Sequence, residues 1–151
     1  MANRVSKENY YLDIAQTVSE RSTCLRRRFG AIIVKNDSII ATGYNGAPRG
    51  RKNCSDIGSC MRDTLNIPRG ERYELCRSIH AEANAITKVA KSANNCDGST
   101  LYITASPCIE CAKLIIQAGI KRVVYSDSYR LEEGLDLLRR VGIECVHLPI
   151  D

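Results

Sequence analysis

Two short segments of the sequence combine residue types that bind transition metals and transfer protons. The first is His80-Ala81-Glu82, and the second is Pro107-Cys108-Ile109-Glu110-Cys111. One imidazole and two thiolates provide three ligands for zinc, and catalytic zinc sites typically have three protein ligands and a fourth position for water. Glu82 follows the histidine by two residues, so its carboxylate can lie beside this water and accept its proton. The two segments together predict a catalytic zinc centre.

Each half of this pattern is ambiguous when taken alone. A CxxC pair is also found in redox sites and as half of a structural zinc site, and a lone histidine at a helix start is usually a cap or a surface residue. Cys108 and Cys111 are three positions apart, so one helical turn can direct both sulfur atoms to one point. Because both halves occur and each is predicted at a helix N-terminus, where thiolates are favoured, the metal site is the preferred interpretation.

Hydrophobic periodicity predicts the elements that position these segments. A first helix is predicted over about 7–20, and a hairpin has strands at 30–34 and 39–42. Further helices are predicted from His80, over 107–119 and over 131–141, and further strands over 101–104, 123–125 and 143–148. After the hairpin, strands and helices alternate, which indicates a largely parallel sheet with helices on both faces.

Residues 44–79, hereafter the cysteine-rich insertion, break this periodic pattern. A loop of this length is unusual in a compact domain, so we expect a functional or metal-pinned segment with short helical turns. Four cysteines flank the insertion or lie in it, namely Cys24, Cys54, Cys60 and Cys76. Four thiolates are enough for a second, structural zinc site. Free thiols are the alternative, and a disulfide is less expected in a reducing compartment.

The composition is that of a globular chain. A length of 151 residues with 44% hydrophobic and 26% charged residues predicts one domain over 1–151 with its own core. No apolar run approaches the length of a membrane span, and the N-terminus lacks the apolar segment of a signal peptide, so we expect a cytoplasmic protein without membrane contact. The net charge of +5 suits an anionic ligand, but by itself it is better explained as a solubility feature.

Three longer stretches resemble the deoxycytidylate (dCMP) deaminases of the cytidine and deoxycytidylate zinc deaminase family. They are residues 24–50, 76–86 and 104–127, and the second and third contain the HxE and PCxxC motifs of zinc nucleobase deaminases. The resemblance implies an α/β fold, a three-layer α/β/α sandwich with a mixed five-stranded sheet. It also implies hydrolysis of dCMP to dUMP and ammonia, which supplies dUMP for dTMP synthesis.

The resemblance also implies roles for individual residues. His80, Cys108 and Cys111 would bind the catalytic Zn²⁺. Glu82 would be the catalytic proton shuttle, protonating N3 of the cytosine while C4 is attacked. The backbone N–H of Ala81 would donate to the pyrimidine carbonyl.

Three further residues are expected to contact the sugar and the phosphate. Asn45 matches a sugar-contacting position, although an Asn-Gly pair is also common in turns. Arg26 and Tyr129 are the residues that we expect at the substrate phosphate. Without the resemblance, a solvated arginine and a strand-end tyrosine explain Arg26 and Tyr129 equally well.

Regulation and assembly are expectations from the resemblance alone. Many dCMP deaminases are activated by dCTP with Mg²⁺, are inhibited by dTTP, and form hexamers, so we expect a homo-oligomer. Some carry a second structural zinc with a mixed ligand set. The segment 43–50 resembles the effector-binding region, which makes Gly43, Tyr44, Gly46 and Arg49 candidate effector contacts.

Two other functions remain open at this point. The tRNA adenosine deaminases share the zinc motif, but their stretch before the HAE-type motif is generally shorter than the 36 residues between Gly43 and His80. Some late-competence proteins, linked by name to DNA uptake, also resemble dCMP deaminases and represent a non-catalytic binding protein of this fold. Glu82 counts against a purely structural metal site, because such a site needs no carboxylate of this kind. The three arginines at 26–28 are too few to predict a nucleic-acid-binding surface.

Overall fold

The computed structural model describes residues 4–68, 72, 78–128 and 132–149. Its helices are α1 (Lys7–Ser19), α2 (Cys54–Ile57), α3 (Met61–Thr64), α4 (Ala81–Ala90), α5 (Ile109–Ala118) and α6 (Glu133–Arg140). Its strands are β1 (Gly30–Lys35), β2 (Ser38–Tyr44), β3 (Thr100–Ala105), β4 (Arg122–Asp127) and β5 (Glu144–His147). The long predicted elements are therefore found close to their expected bounds.

The strands form one mixed sheet in the order β2-β1-β3-β4-β5. β1 is antiparallel to both of its neighbours, whereas β3, β4 and β5 pair in parallel. Four strands thus run in one direction, and β1 lies between β2 and β3 in the opposite direction. The predicted hairpin is confirmed by the antiparallel β1–β2 ladder, and the alternation of strands and helices predicted the parallel part of the sheet. The expectation of a largely parallel sheet was wrong for the ladder between β1 and β3.

Helices cover both faces of the sheet. On one face, Tyr11, Leu12 and Ala15 of α1 pack on Ile32, Tyr102 and Val124. On the other face, α4, α5 and α6 bury alanine, valine, leucine and isoleucine side chains against alternate residues of the same strands. The period of two along a strand explains this division, because neighbouring side chains point to opposite faces. The three-layer sandwich is confirmed.

Local chemistry explains where the long elements begin and end. Ser6 caps α1 by accepting a hydrogen bond from the Asn9 N–H at 3.2 Å. The β1–β2 turn uses Asn36 and Asp37, both at positive φ, as a two-residue hairpin requires. Gly119 ends α5 in the left-handed conformation.

The described part of the cysteine-rich insertion is held mainly by hydrogen bonds. Its helices α2 and α3 are one turn each. The Ser55 N–H donates to the Thr23 carbonyl at 3.2 Å, and the Thr23 hydroxyl donates to Asn53 Oδ1 at 3.1 Å. Gly46 and Ile79 form a small antiparallel bridge that closes the base of the insertion directly before His80.

Candidate active site

His80, Cys108 and Cys111 meet in one cluster. The Nδ1 atom of His80 lies 3.5 Å from Cys108 Sγ and 3.3 Å from Cys111 Sγ. Their ligand atoms all lie within 4.8 Å of one another, and within the described residues this is the one such group of three or more metal-binding side chains. One nitrogen and two sulfur donors at this spacing fit zinc, and a three-residue set leaves a coordination position for water.

Two helix N-termini hold the cluster. His80 is the N-cap of α4 and Cys108 is the N-cap of α5, and neither side chain caps its own helix. Cys111 lies in the first turn of α5, so its sulfur is on the same side as that of Cys108. The positive ends of both helices point at the cluster and favour the thiolate forms that bind metal.

Two glycines allow the backbones around the cluster to approach closely. A Cβ atom on Gly43 would lie 2.3 Å from the Ala81 carbonyl oxygen, so a larger residue in β2 would displace the start of α4. A Cβ atom on Gly134 would lie 2.2 Å from the Pro107 carbonyl oxygen. The position of each ligand-bearing segment therefore depends on a glycine in a neighbouring element.

Glu82 is fully buried in the first turn of α4, two residues after His80. Its carboxylate is outside the group of clustered ligand atoms, which suits a proton-transfer group better than a metal ligand. Ala81 is also buried at the start of α4. Its N–H is one of the first-turn donors that have no partner within a helix, so it can serve a ligand.

Asn45 is 3% exposed and holds the segment that precedes β1. Its Nδ2 donates to the Arg27 carbonyl at 2.9 Å, and its Oδ1 accepts from the Phe29 N–H at 3.0 Å and from the Ser22 hydroxyl. Neither the turn nor the sugar contact considered from the sequence anticipates these contacts. Sugar binding by Asn45 stays a prediction, for which its second Nδ2 hydrogen is suited.

Arg26 lies half-buried beside the cysteine-rich insertion. Its side chain is 20% exposed, and its Nε is 3.3 Å from Asp63 Oδ1 of α3. Its Nη1 atom is buried and makes no hydrogen bond to the described residues. Asp63 was not singled out from the sequence, because it lies in an aperiodic stretch without a motif. Tyr129, the other expected phosphate contact, lies outside the described residues.

A family model described as the cytidine and deoxycytidylate deaminase zinc-binding region matches residues 5–127. The chain belongs to the cytidine and deoxycytidylate deaminase family. The matched range contains the cluster, Glu82 and the described part of the insertion, so this deaminase has its candidate active site within the family's shared region.

Two of three similar relatives are named deoxycytidylate deaminase. The deoxycytidylate deaminase of Enterobacteria phage T4 is 37% identical over 95% of this chain and 90% of its own length. The deoxycytidylate deaminase of Saccharomyces cerevisiae is 39% identical, but the chain covers only 44% of that protein's length. The ComE operon protein 2 of Bacillus subtilis is 37% identical over 98% of this chain and 74% of its own length.

A solved structure shares the fold. The dCMP deaminase from the cyanophage S-TIM5, in complex with dCMP and dUMP, superposes with a TM-score of 0.78 at 39% identity. The superposition covers 96% of this deaminase and 100% of the cyanophage chain. The expected fold class is thereby confirmed.

The second zinc site of this deaminase stays a prediction. Cys54 and Cys60 are buried and Cys24 is half-buried. In the part of the chain that the structure describes, these three do not join a group of metal-binding side chains of the kind formed around His80. Cys76, the fourth expected ligand, lies outside the described residues.

The candidate effector residues do not all lie in one binding site. Tyr44 and Gly46 line a cleft of about 230 Å³, together with Thr23, Ala47, Asn53, Asn84 and Lys88. The Lys88 ammonium lies 5.8 Å from the centre of the Tyr44 ring and brings positive charge to the cleft. Gly43 packs under α4 instead, and Arg49 is exposed.

Among the described residues, no helix is both long enough and apolar enough to cross a membrane.

Proposed function

We propose that this deaminase hydrolyses dCMP to dUMP and ammonia, using a zinc ion held by His80, Cys108 and Cys111. The observation that carries the proposal is the pairing of this cluster with the buried carboxylate of Glu82 on α4. Similarity over nearly the whole chain to a dCMP deaminase that binds dCMP and dUMP supports the choice of substrate.

Each residue of the site has its own role in the proposed reaction. When bound, the zinc supplies a water that ionises near neutral pH. Glu82 accepts a proton from this water and delivers it to N3 of the cytosine while the oxygen bonds to C4. Glu82 then takes the remaining proton from the new C4 hydroxyl and transfers it to the amino group, the C4–N bond breaks, and ammonia and dUMP leave. The Ala81 N–H orients the pyrimidine carbonyl, and Asn45 contacts the sugar.

The phosphate of the nucleotide is bound by Arg26 and Tyr129. Arg26 supports this role because its guanidinium retains hydrogen-bonding capacity after its contact with Asp63. A phosphate can accept two parallel N–H bonds from one guanidinium. The same contact makes deoxycytidine a poorer substrate than dCMP.

The test is the loss of cytosine absorbance when zinc-loaded protein meets dCMP, with deoxycytidine in parallel. We expect rapid loss with dCMP and much slower loss with deoxycytidine. We expect Arg26→Ala to raise the KM for dCMP about 10-fold or more, as for a lost charge-assisted hydrogen bond, with little effect on deoxycytidine. No turnover of either compound would contradict the proposal.

We further propose that dCTP with Mg²⁺ and dTTP regulate the enzyme, which acts in the cytoplasm as a homo-oligomer, with a hexamer favoured. The cleft beside Tyr44 and Gly46, with Lys88 at its wall, is the part of the candidate effector region with space for a ligand. Identical dCMP saturation curves with and without dCTP and Mg²⁺ would contradict regulation by dCTP.

A non-catalytic binding role is the second candidate, because ComE operon protein 2 is as similar to this chain as the phage enzyme is. The fully buried Glu82, two residues after His80, favours catalysis, since a purely structural zinc needs no such carboxylate. Tight DNA binding without dCMP turnover would favour the binding role. Turnover of an adenosine in tRNA instead of dCMP would favour the remaining alternative, a tRNA adenosine deaminase.

A further inference from the structure

We propose that Asp63 is a positioning residue for Arg26. By holding the guanidinium from one side, Asp63 presents the other edge to the substrate phosphate and so sets the preference for nucleotide over nucleoside. The inference rests on the proposed function, in which Arg26 binds that phosphate. It gives the cysteine-rich insertion a part in substrate selection that does not depend on a second metal.

The contact between the two residues involves Nε and neither of the terminal nitrogens of the guanidinium. Asp63 Oδ1 lies 3.3 Å from Arg26 Nε, the nitrogen nearest the aliphatic chain. The guanidinium is planar, so an ion pair at Nε restricts where the two terminal nitrogens lie. Nη1 is buried and makes no hydrogen bond to the described residues. An anion that reaches this edge satisfies a donor whose burial is otherwise costly.

Hydrogen bonds hold the backbone on the N-terminal and the C-terminal side of Arg26. On the N-terminal side, Thr23 is tied to the insertion through Ser55 and Asn53, at 3.2 and 3.1 Å. On the C-terminal side, the Arg27 carbonyl accepts from Asn45 Nδ2 at 2.9 Å. The arginine backbone and the insertion that carries Asp63 therefore form one hydrogen-bonded unit, and the remaining freedom is that of the Arg26 side chain.

Asp63 has two opposite effects on a bound phosphate. Its negative charge repels the phosphate, but the Asp63 side chain is 59% exposed, so water and salt screen this repulsion. Its ion pair with Arg26 restricts the rotamers of a long side chain that loses conformational entropy when it binds an anion. Screening increases with distance, so it weakens the contact with Nε at 3.3 Å less than the repulsion of a phosphate on the far side of the guanidinium. The orienting effect is therefore the larger one.

The first test compares Asp63→Ala and Asp63→Asn with the wild type, all zinc-loaded and of equal zinc content. Asp63→Ala should raise the KM for dCMP about two- to fivefold, as for one lost ion pair near the surface, at unchanged kcat and with unchanged deoxycytidine turnover. Asp63→Asn keeps an oxygen acceptor and should restore most of the loss. Asp13→Ala, a change of an exposed aspartate on α1, is the matched control and should leave the KM unchanged.

The second test repeats Asp63→Ala in an Arg26→Ala background, where it should have no further effect on the KM. A lower KM in Asp63→Ala would show that repulsion dominates, and an equal rise in the Arg26→Ala background would show a merely structural role. Either result overturns the proposal. If the wild type does not turn over dCMP, the proposed function fails. Calorimetric titration with dCMP and deoxycytidine then tests the role of Asp63 separately. An unchanged dCMP affinity in Asp63→Ala would overturn that role.

Discussion

At the scale of single residues, the candidate metal site depends on the chemistry of three side chains. Cys111 provides a buried thiol 3.3 Å from His80 Nδ1. We expect Cys111→Ala to lower zinc affinity by at least about 100-fold, because the loss of a direct ligand exceeds the loss of a supporting hydrogen bond. Zinc per chain, measured after dialysis against a weak chelator, checks this prediction.

Cys96 is the matched control for this measurement. It is also buried, but it belongs to the hydrophobic core and not to the cluster. Burial raises the pKa of the Cys96 thiol, which keeps it protonated and unsuited to metal binding. Cys96→Ala should retain full zinc content; equal loss of zinc in both variants would mean that instability, and not ligation, removes the metal.

The sequence predicted which side chains form the cluster because ligand chemistry and helical spacing are local properties. It did not predict the contacts of Asn45 with the segment before β1, or the contact of Asp63 with Arg26. Both depend on residues that lie far apart in the chain and meet only in the folded state. Residue type indicates what such groups can do, but not which partner they have.

At the scale of elements, the packing of α6 fixes the loop that carries Cys108. A Cβ atom on Gly134 would lie 2.2 Å from the Pro107 carbonyl oxygen and 3.0 Å from the Cys108 backbone. Gly134→Ala must therefore separate α6 from this loop. We expect a loss of about 1–3 kcal/mol in the free energy of unfolding, as for an overpacked core, together with weaker zinc binding. Denaturant unfolding with and without zinc measures both effects.

Gly46→Ala provides the control for steric crowding. A Cβ atom there would meet its nearest neighbour at 3.5 Å, an ordinary contact, and the residue does not have a positive φ. The loss of stability in Gly46→Ala should therefore be clearly smaller. Comparable losses in the two variants would contradict the view that close approach at Gly134 positions the cluster.

Element prediction succeeded where a periodic pattern was long enough. The first helix was expected over about 7–20 and spans Lys7–Ser19. The start expected at Pro107 is instead Ile109, because Pro107 and Cys108 precede the first helical turn and Cys108 is its N-cap. The bounds of α2 and α3 could not be predicted, since a helix of one turn shows no periodicity. The order of the strands in the sheet could not be predicted either, because periodicity does not indicate which strands are neighbours.

At the scale of the whole molecule, one network of charges joins the first helix to three strands. Arg122 of β4 donates to both carboxylate oxygens of Glu8 at 3.1 and 2.6 Å and to Glu144 of β5 at 3.0 Å. Tyr102 of β3 donates to Glu8 at 2.7 Å. Glu8 and Arg122 are 114 positions apart, so no sequence pattern predicts their pairing. The network fixes α1 on the sheet face opposite α4, α5 and α6.

This network makes stability depend on pH. The Arg122 hydrogen bonds lower the pKa of Glu8 below its ordinary value of 4.5, although burial opposes the shift. A lowered folded-state pKa contributes stability that is complete above the unfolded pKa and is lost as the pH falls through the folded pKa. Glu8→Gln should therefore lower the free energy of unfolding by about 1–2 kcal/mol at pH 7 and flatten its decline below pH about 4.5.

Denaturant unfolding from pH 7 to pH 3 measures this effect. Glu144→Gln is the control, because Glu144 contacts the same arginine but is 64% exposed, and exposed pairs contribute little. An unchanged pH profile in Glu8→Gln, or an equal change in Glu144→Gln, would contradict the role given to Glu8.

In the proposed reaction, Glu82 transfers protons for the deamination of dCMP at the His80 cluster. The most direct measurement is the rate of dCMP deamination by wild type and by Glu82→Gln at equal zinc content. Glu110→Gln, an exposed change within the same CxxC segment as Cys108 and Cys111, is run as the control. We predict that Glu82→Gln retains zinc and loses turnover by about 10²–10⁴-fold, whereas Glu110→Gln keeps it. A rate near that of the wild type in Glu82→Gln would contradict the account.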